Sequence, residues 1–207
     1  MKSLTRFREI KPEIRILGID DFPFNPHRHG RTTLIGVVFR GGLWLDGAMR
    51  TEVEVDGRDS TDKIVEMVRS SVHYKQLRVI MTDSVTVAGF NVIDLKQLND
   101  ETRLPVIAIT REMPDEEEVK AALKNLPDWE DRWRVIENAG TLREVRVKRT
   151  VLYAHVVGAS FEDAEEIIRI SSTRANFPEP LRAAHLLAQG LGGRTSDTDK
   201  RDKLISL

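Results

Sequence analysis

Three aspartates in this 207-residue chain share one local situation. Asp20 follows an apolar run that starts at Ile14, Asp83 follows another that starts at Leu77, and Asp59 opens a helical pattern beside Ser60 and Thr61. If the two apolar runs are neighbouring strands, Asp20 and Asp83 face each other at the end of one sheet. Carboxylates at that distance repel, and a divalent cation relieves the repulsion; hard oxygen ligands suit Mg²⁺ or Mn²⁺. Such a metal can activate water and stabilise both the attacking and the leaving oxygen of an in-line phosphoryl displacement. An Asp at a strand end or helix start is also an ordinary turn former or cap. Asp56 and Asp62 lie close enough in sequence to stand in for Asp59. His185 shares a helix face with Leu181 and Ala188, and its spacing alone carries no argument.

The elements that must position these groups are legible from periodicity. Ile14 to Ile19 reads as a strand closed by Asp20-Asp21 and the turn residues Pro23, Asn25 and Pro26. Thr32 to Arg40 is a β-branched run, Gly41-Gly42 suits a hairpin, and Leu43 to Val55 returns with a bulge or kink expected at Asp46-Gly47. Three strands on short connections imply an antiparallel meander. Asp59-Ser60-Thr61 can cap a helix carrying Ile64, Val65, Met67, Val68 and Val72, after which Leu77 to Met81 is a fourth strand. A helix between strands three and four is a crossover, so the sheet turns from antiparallel to mixed.

Val85 to Ile93 is extended, Asp94 starts a short helix, and Pro105 to Ile109 is a fifth strand. Pro114-Asp115 opens a helix through Leu126, Trp129 to Ile136 is helical, and Leu142 to Val157 alternates like one or two further strands. Trp129 and Trp133, four apart, are expected to face the core. Ser160 caps a helix bearing Phe161, Ala164, Ile167 and Ile168, and Pro178-Glu179-Pro180 opens a last helix from Leu181 to Gln189. Antiparallel strands, a helix, then strands alternating with helices is the order of ribonuclease H-like α/β domains: a mixed sheet flanked by helices. A single domain is expected over residues 1–190, with a polar tail over 191–207.

Composition narrows the function classes. Cys is absent, Gly is 13 and Pro is 8, which excludes collagenous and disulfide-scaffold chains. No apolar run approaches the ~18 residues of a membrane span, and Met1 to Lys11 alternates charge without an apolar stretch. A cytoplasmic protein without a membrane partner is therefore expected. Net charge is −1, so a nucleic-acid partner must be held by local basic patches. Two are present: eight Lys and Arg within residues 1–40, and the cluster Arg143, Arg146, Lys148 and Arg149. Zinc chemistry is disfavoured by the lack of Cys and of paired His spacing. No Gly-rich phosphate loop precedes a Lys-Ser/Thr pair.

Longer segments carry a family resemblance. Phe177-Pro-Glu-Pro-Leu-Arg-Ala-Ala-His185 resembles the carboxy-terminal motif of endonuclease V, in which a Pro-Glu-Pro turn leads a helix to an active-site His. Ile16-Leu-Gly-Ile-Asp20 and Val79-Ile-Met-Thr-Asp83 resemble its two strands ending in metal-binding Asp. Pro105 to Arg111 is similar to its Pro-containing strand, with Arg111 at the position of a basic residue. Arg58-Asp59 falls where that family has Arg-Glu. More specifically, Gly18-Ile-Asp-Asp21, Val55 to Thr61 and Ala88 to Asp94 resemble an archaeal group of unknown function labelled endonuclease dU. The resemblance spans Ile14 to Gln189. Three departures stand out: Ser84 replaces a usual Gly after Asp83, Asp59 replaces Glu, and the hairpin lacks the Pro-Tyr-Ile-Pro wedge of endonuclease V.

What the resemblance implies is a Mg²⁺- or Mn²⁺-dependent endonuclease of DNA repair. Its substrate would be DNA, ahead of RNA, cut near deaminated bases such as deoxyuridine or deoxyinosine. Asp20 and Asp83 would be the primary metal ligands with Asp59 assisting, and His185 would position water or assist proton transfer. Arg111 would offset phosphate charge or pair with an acid such as Glu112. In the loop after strand one, His27, Arg28, His29 and Arg31 would grip the nucleic-acid backbone. The alternative is a non-catalytic nucleic-acid-binding protein on the same fold.

Overall fold

The computed structural model describes residues 7–26 and 30–192. Its first three strands form the expected meander: β1 (Arg15–Asp21), β2 (Arg31–Arg40) and β3 (Trp44–Glu54) pair antiparallel in sequence order. The bulge falls where the sequence placed it. Val38 pairs with Gly47 and Phe39 with Leu45, so Asp46 is the extra residue. Its carboxylate accepts from Arg15 Nε at 3.1 Å and Arg40 Nε at 2.9 Å, which ties the bulge to the two inner strands.

Helix α1 (Ser60–Ser70) then crosses over to β4 (Val79–Asp83), which lies parallel to β1. A two-stranded hairpin of β5 (Thr86–Val87) and β6 (Asn91–Val92) precedes α2 (Leu95–Thr102), and β7 (Val106–Thr110) adds in parallel to β4. After α3 (Glu116–Leu123) and α4 (Trp129–Asn138), β8 (Arg143–Val147) and β9 (Thr150–Val157) form a hairpin. Strand β9 pairs antiparallel with β7, so the far edge of the sheet returns to antiparallel. Helices α5 (Phe161–Ser171) and α6 (Glu179–Leu191) complete the chain. The seven-stranded order is β3-β2-β1-β4-β7-β9-β8, a mixed sheet with helices on both faces, as expected for the ribonuclease H-like class.

Strand alternation divides the core. Leu17, Ile19 and Ile80 pack with Ile64, Val68, Leu95 and Leu98 of α1 and α2. Ile16, Val79, Met81, Ile107 and Ile109 pack with Ala164, Ile167, Ile168 and Leu181 of α5 and α6. The tryptophans depart from expectation. Neither belongs to a core cluster; Lys120 lies 5.0 Å over Trp133 and Lys124 5.6 Å over Trp129, so lysine stems from α3 cover them. The one buried side chain of α4 is Arg132. The expected tail lies outside the described residues from 193 onward, and α6 itself runs to Leu191.

Candidate active site

Period-two alternation aims three charged side chains at one helix. In β1 the residues facing α6 are Ile16, Gly18 and Asp20; in β4 they are Val79, Met81 and Asp83; in β7 they are Ile107 and Ile109, with Arg111 next in phase. The parallel register pairs Gly18 with Met81 and Ile19 with Thr82, so Asp20 and Asp83 sit side by side at the ends of adjacent strands, about 4.8 Å apart in backbone. Asp83 pairs with Ile109, placing Arg111 two residues further out, just past the end of β7.

Glycine at position 18 is what lets α6 lie here. A Cβ at Gly18 would stand 2.4 Å from the carbonyl carbon of Pro180 and 2.8 Å from the amide nitrogen of Leu181. The Pro-Glu-Pro segment is anchored from the other side by Glu179. Although only 2 % exposed, its carboxylate is satisfied by Arg182 Nε at 2.9 Å and by the backbone N–H groups of Arg174 and Ala175. A buried carboxylate so paired fixes the start of the helix.

Five residues beyond Pro180, His185 Nδ1 meets Asp20 Oδ2 at 2.8 Å. The other oxygen, Oδ1, accepts the Asp21 N–H at 2.9 Å. The hydrogen bond to Asp20 holds the His185 pKa above its ordinary 6.5, against desolvation; the charges of Asp20 and Asp83 add to the rise and Arg111 opposes it. One side chain therefore senses Asp20, Asp83 and Arg111 together. With Nδ1 engaged by Asp20, Nε2 is the nitrogen left for a substrate. The Arg111 guanidinium stacks 4.2 Å over the buried Phe177 ring.

The other expected site residues lie elsewhere. Asp59 stands at the N-cap of α1 but makes no side-chain cap. Its Oδ1 accepts from Asn91 Nδ2 at 2.7 Å and from the Glu54 N–H at 3.1 Å, while Oδ2 lies 3.9 Å from Arg31. Arg31 is further engaged with Glu52, 3.6 Å away. None of these partners is Asp20, Asp83 or His185, and Arg28, with His27 and His29, lies outside the described residues. Among the described residues, no three His, Cys, Asp or Glu side chains converge as a ready-made metal cage.

Three residues that sequence reasoning missed hold the surrounding loops. Asn91 is fully buried and its Oδ1 accepts the Ser60 N–H at 3.0 Å, so it caps α1 from 31 residues away. Asp56, at φ 53°, accepts the Phe90 N–H at 2.8 Å. Arg132 donates to the carbonyls of Asp56 (2.8 Å), Gly57 (2.7 Å) and Phe90, and to Asp128 Oδ1 (2.8 Å), whose carboxyl it holds below the usual range. The available signal was weak: one Arg in phase with the inner face of a polar helix. A polar cleft of about 190 Å³ beside Arg58, Asp62, Gln97 and Arg132 contains none of Asp20, Asp83 or His185.

The turn after Asp83 takes a left-handed residue even with Ser in place of Gly. Ser84 adopts φ 80°, the region glycine favours, with its N–H on the Ile109 carbonyl at 2.8 Å.

Comparison with known proteins identifies the family and supports the fold. The family model described as Endonuclease dU matches residues 12–192. A UPF0215 protein of Methanothermobacter thermautotrophicus is 54% identical over 186 residues, covering 89% of this chain and 91% of that protein. The crystal structure of a protein of unknown function from Archaeoglobus fulgidus superposes with a TM-score of 0.78 at 35% identity, covering 86% of this chain and 98% of that one. Endonuclease V of Ciona intestinalis, solved with a 24mer DNA containing an inosine followed by a ribo-adenosine, shares the fold at a TM-score of 0.56 and 12% identity, covering 84% of each chain. No helix among the described residues is long and apolar enough to cross a membrane.

Proposed function

The chain belongs to the endonuclease dU family, and from that premise we propose that it is a metal-dependent endonuclease that hydrolyses phosphodiester bonds in DNA at the Asp20–Asp83 pair. The observation that carries the reading is the convergence of two strand-end carboxylates, a His held by one of them and an Arg stacked on Phe177 on a single side of the sheet. The residues fit Mg²⁺ or Mn²⁺, which binds through one or two carboxylates and completes its shell with water and phosphate oxygens. Asp20 and Asp83 would hold it. When bound, a divalent cation there supplies Lewis acidity to a phosphoryl oxygen and offsets developing charge.

The chain's own side chains supply the rest. Asp20 orients the His185 ring and favours its protonated form, so Nε2 can hand a proton to the departing oxygen as water adds to phosphorus and the P–O bond breaks. The Arg111 guanidinium, kept planar against Phe177, faces phosphate charge. Asp59 acts in this reading by fixing Asn91 and the mouth of α1, behind the carboxylate pair. The substrate class in this reading is DNA bearing a deaminated base, which the family's description supports.

The test is a cleavage assay on end-labelled DNA and RNA oligonucleotides containing deoxyuridine, deoxyinosine or no lesion, in Mg²⁺, Mn²⁺ or chelator, with Asp83→Ala in parallel. Metal-dependent nicking that vanishes in Asp83→Ala is the expected result. Intact substrate in every lane, with binding retained in chelator, would favour a nucleic-acid-binding protein instead.

A further inference from the structure

The β8–β9 hairpin turns through Lys148 and Arg149, and Lys148 has φ 53°. A turn position with positive φ favours Asn or Gly, so Lys148 stands here against local backbone preference. Lys148 Nζ donates to the carbonyls of Thr173 (2.9 Å) and Ala175 (3.1 Å), and Asn176 Nδ2 meets Thr150 Oγ1 at 3.0 Å. The tip is thus bolted to the loop between α5 and α6. Arg149 on the tip and Arg174 in that loop are both exposed. Among the described residues, neither pairs with a carboxylate. The nearby acid Glu165 is taken by Arg169 at 2.7 Å, and Glu179 is buried beneath Arg182.

This basic surface joins the carboxylate pair through contacts already described: Asn176 precedes Phe177, Phe177 carries Arg111, and Arg111 acts on His185. Its distance follows from the register. Tyr153 pairs with Thr110, so Thr150 lies three residues, about 10 Å, beyond the end of β7. Strand β9 is two strand spacings, about 10 Å, from β4. Asp83 is level with Ile109, one residue short of Thr110, and Arg149 lies one residue beyond Thr150, so the tip stands roughly 19 Å from Asp83, the axial span of about five to six nucleotides of duplex.

We propose that Arg149 and Arg174, locked together by Lys148, bind the phosphodiester backbone about five to six nucleotides to one side of the scissile bond. The proposal rests on the nuclease reading for the location of that bond; the surface itself does not.

The experiment measures binding of labelled duplex DNA by fluorescence anisotropy in chelator across a salt series. Wild type is compared with Arg149→Gln/Arg174→Gln and with a charge-matched control, Arg69→Gln/Lys75→Gln, on the far helical face. Each lost phosphate contact removes about 0.9 from the slope of log K against log salt, so the double variant should lower the slope by about 1.8 while the control leaves it unchanged. Duplexes trimmed to fewer than about five nucleotides on that side of the scissile bond should bring wild type down to the variant's affinity. An unchanged slope in Arg149→Gln/Arg174→Gln, or an equal loss in the control, overturns the proposal. The two readings fail separately. If wild type cuts DNA but the slope does not move, only this surface is wrong; if nothing is cut and the slope still falls, only the nuclease reading is.

Discussion

Gly18→Ala tests the packing that assembles the site. The new methyl would stand 2.4 Å from the carbonyl carbon of Pro180 and 2.5 Å from its oxygen, both backbone atoms that no rotamer change can move aside. Ordinary contact begins near 3.5 Å, so α6 must retreat by about 1 Å. Overpacking of this kind costs about 1–3 kcal/mol. His185 rides on the same helix, and a 1 Å retreat stretches its 2.8 Å bond to Asp20 beyond hydrogen-bond range, to about 3.8 Å. That bond is the largest cause of the raised His185 pKa, so the pKa should fall toward 6.5. A 1 Å misplacement also predicts roughly a hundredfold loss of nicking. The assays are urea unfolding, NMR titration of His185 in chelator, and the nicking rate. Gly190→Ala is the internal control: it lies in the same helix, a Cβ there meets nothing within 4 Å, and alanine should stabilise by about 0.5–1 kcal/mol. Wild-type stability together with an unshifted His185 titration in Gly18→Ala would refute the reasoning.

Further predictions concern the loops and the buried charges. Ser84→Gly should raise stability by about 1 kcal/mol and the Tm by about 2–4 °C, because glycine adopts φ 80° without strain; a lower Tm in differential scanning calorimetry would contradict this. Arg132→Met should destabilise by about 3–5 kcal/mol in urea melts, since it strands three carbonyls and Asp128, and Arg132→Lys should rescue little because one ammonium cannot span the fork. His155 has a buried Nδ1 without a partner, and burial holds its pKa below 6.5, against a hydrogen bond to the Gly140 backbone. The unfolded chain then takes up a proton near pH 6.5 that the folded one refuses, so stability is full above that pH and falls as pH drops through it, by at most about 1.4 kcal/mol per unit. Urea melts from pH 8 to pH 5 should show that loss in wild type and its absence in His155→Phe.

Local pattern was enough for the elements and for part of the site. Alternation marked the meander and its bulge, Pro178 marked the last helix, and strand-end position marked Asp20 and Asp83. Strand phase also implied that both carboxylates share a face, because side chains two apart must point the same way. Partners distant in sequence were beyond such reasoning. Asp59 has the residue type and position of a helix cap, yet the amide of Asn91 reaches the Ser60 N–H and Asp59 is drawn back to Glu54 and Asn91. Trp129 and Trp133 have core spacing, yet their helix turns Arg132 inward to collect carbonyls from two loops. The reason is physical: periodicity and propensity act within a turn or a strand, where neighbours are fixed by the backbone. The meeting of His185 with Asp20 across 165 residues depends on strand order and on the gap at Gly18, which only the packed chain defines.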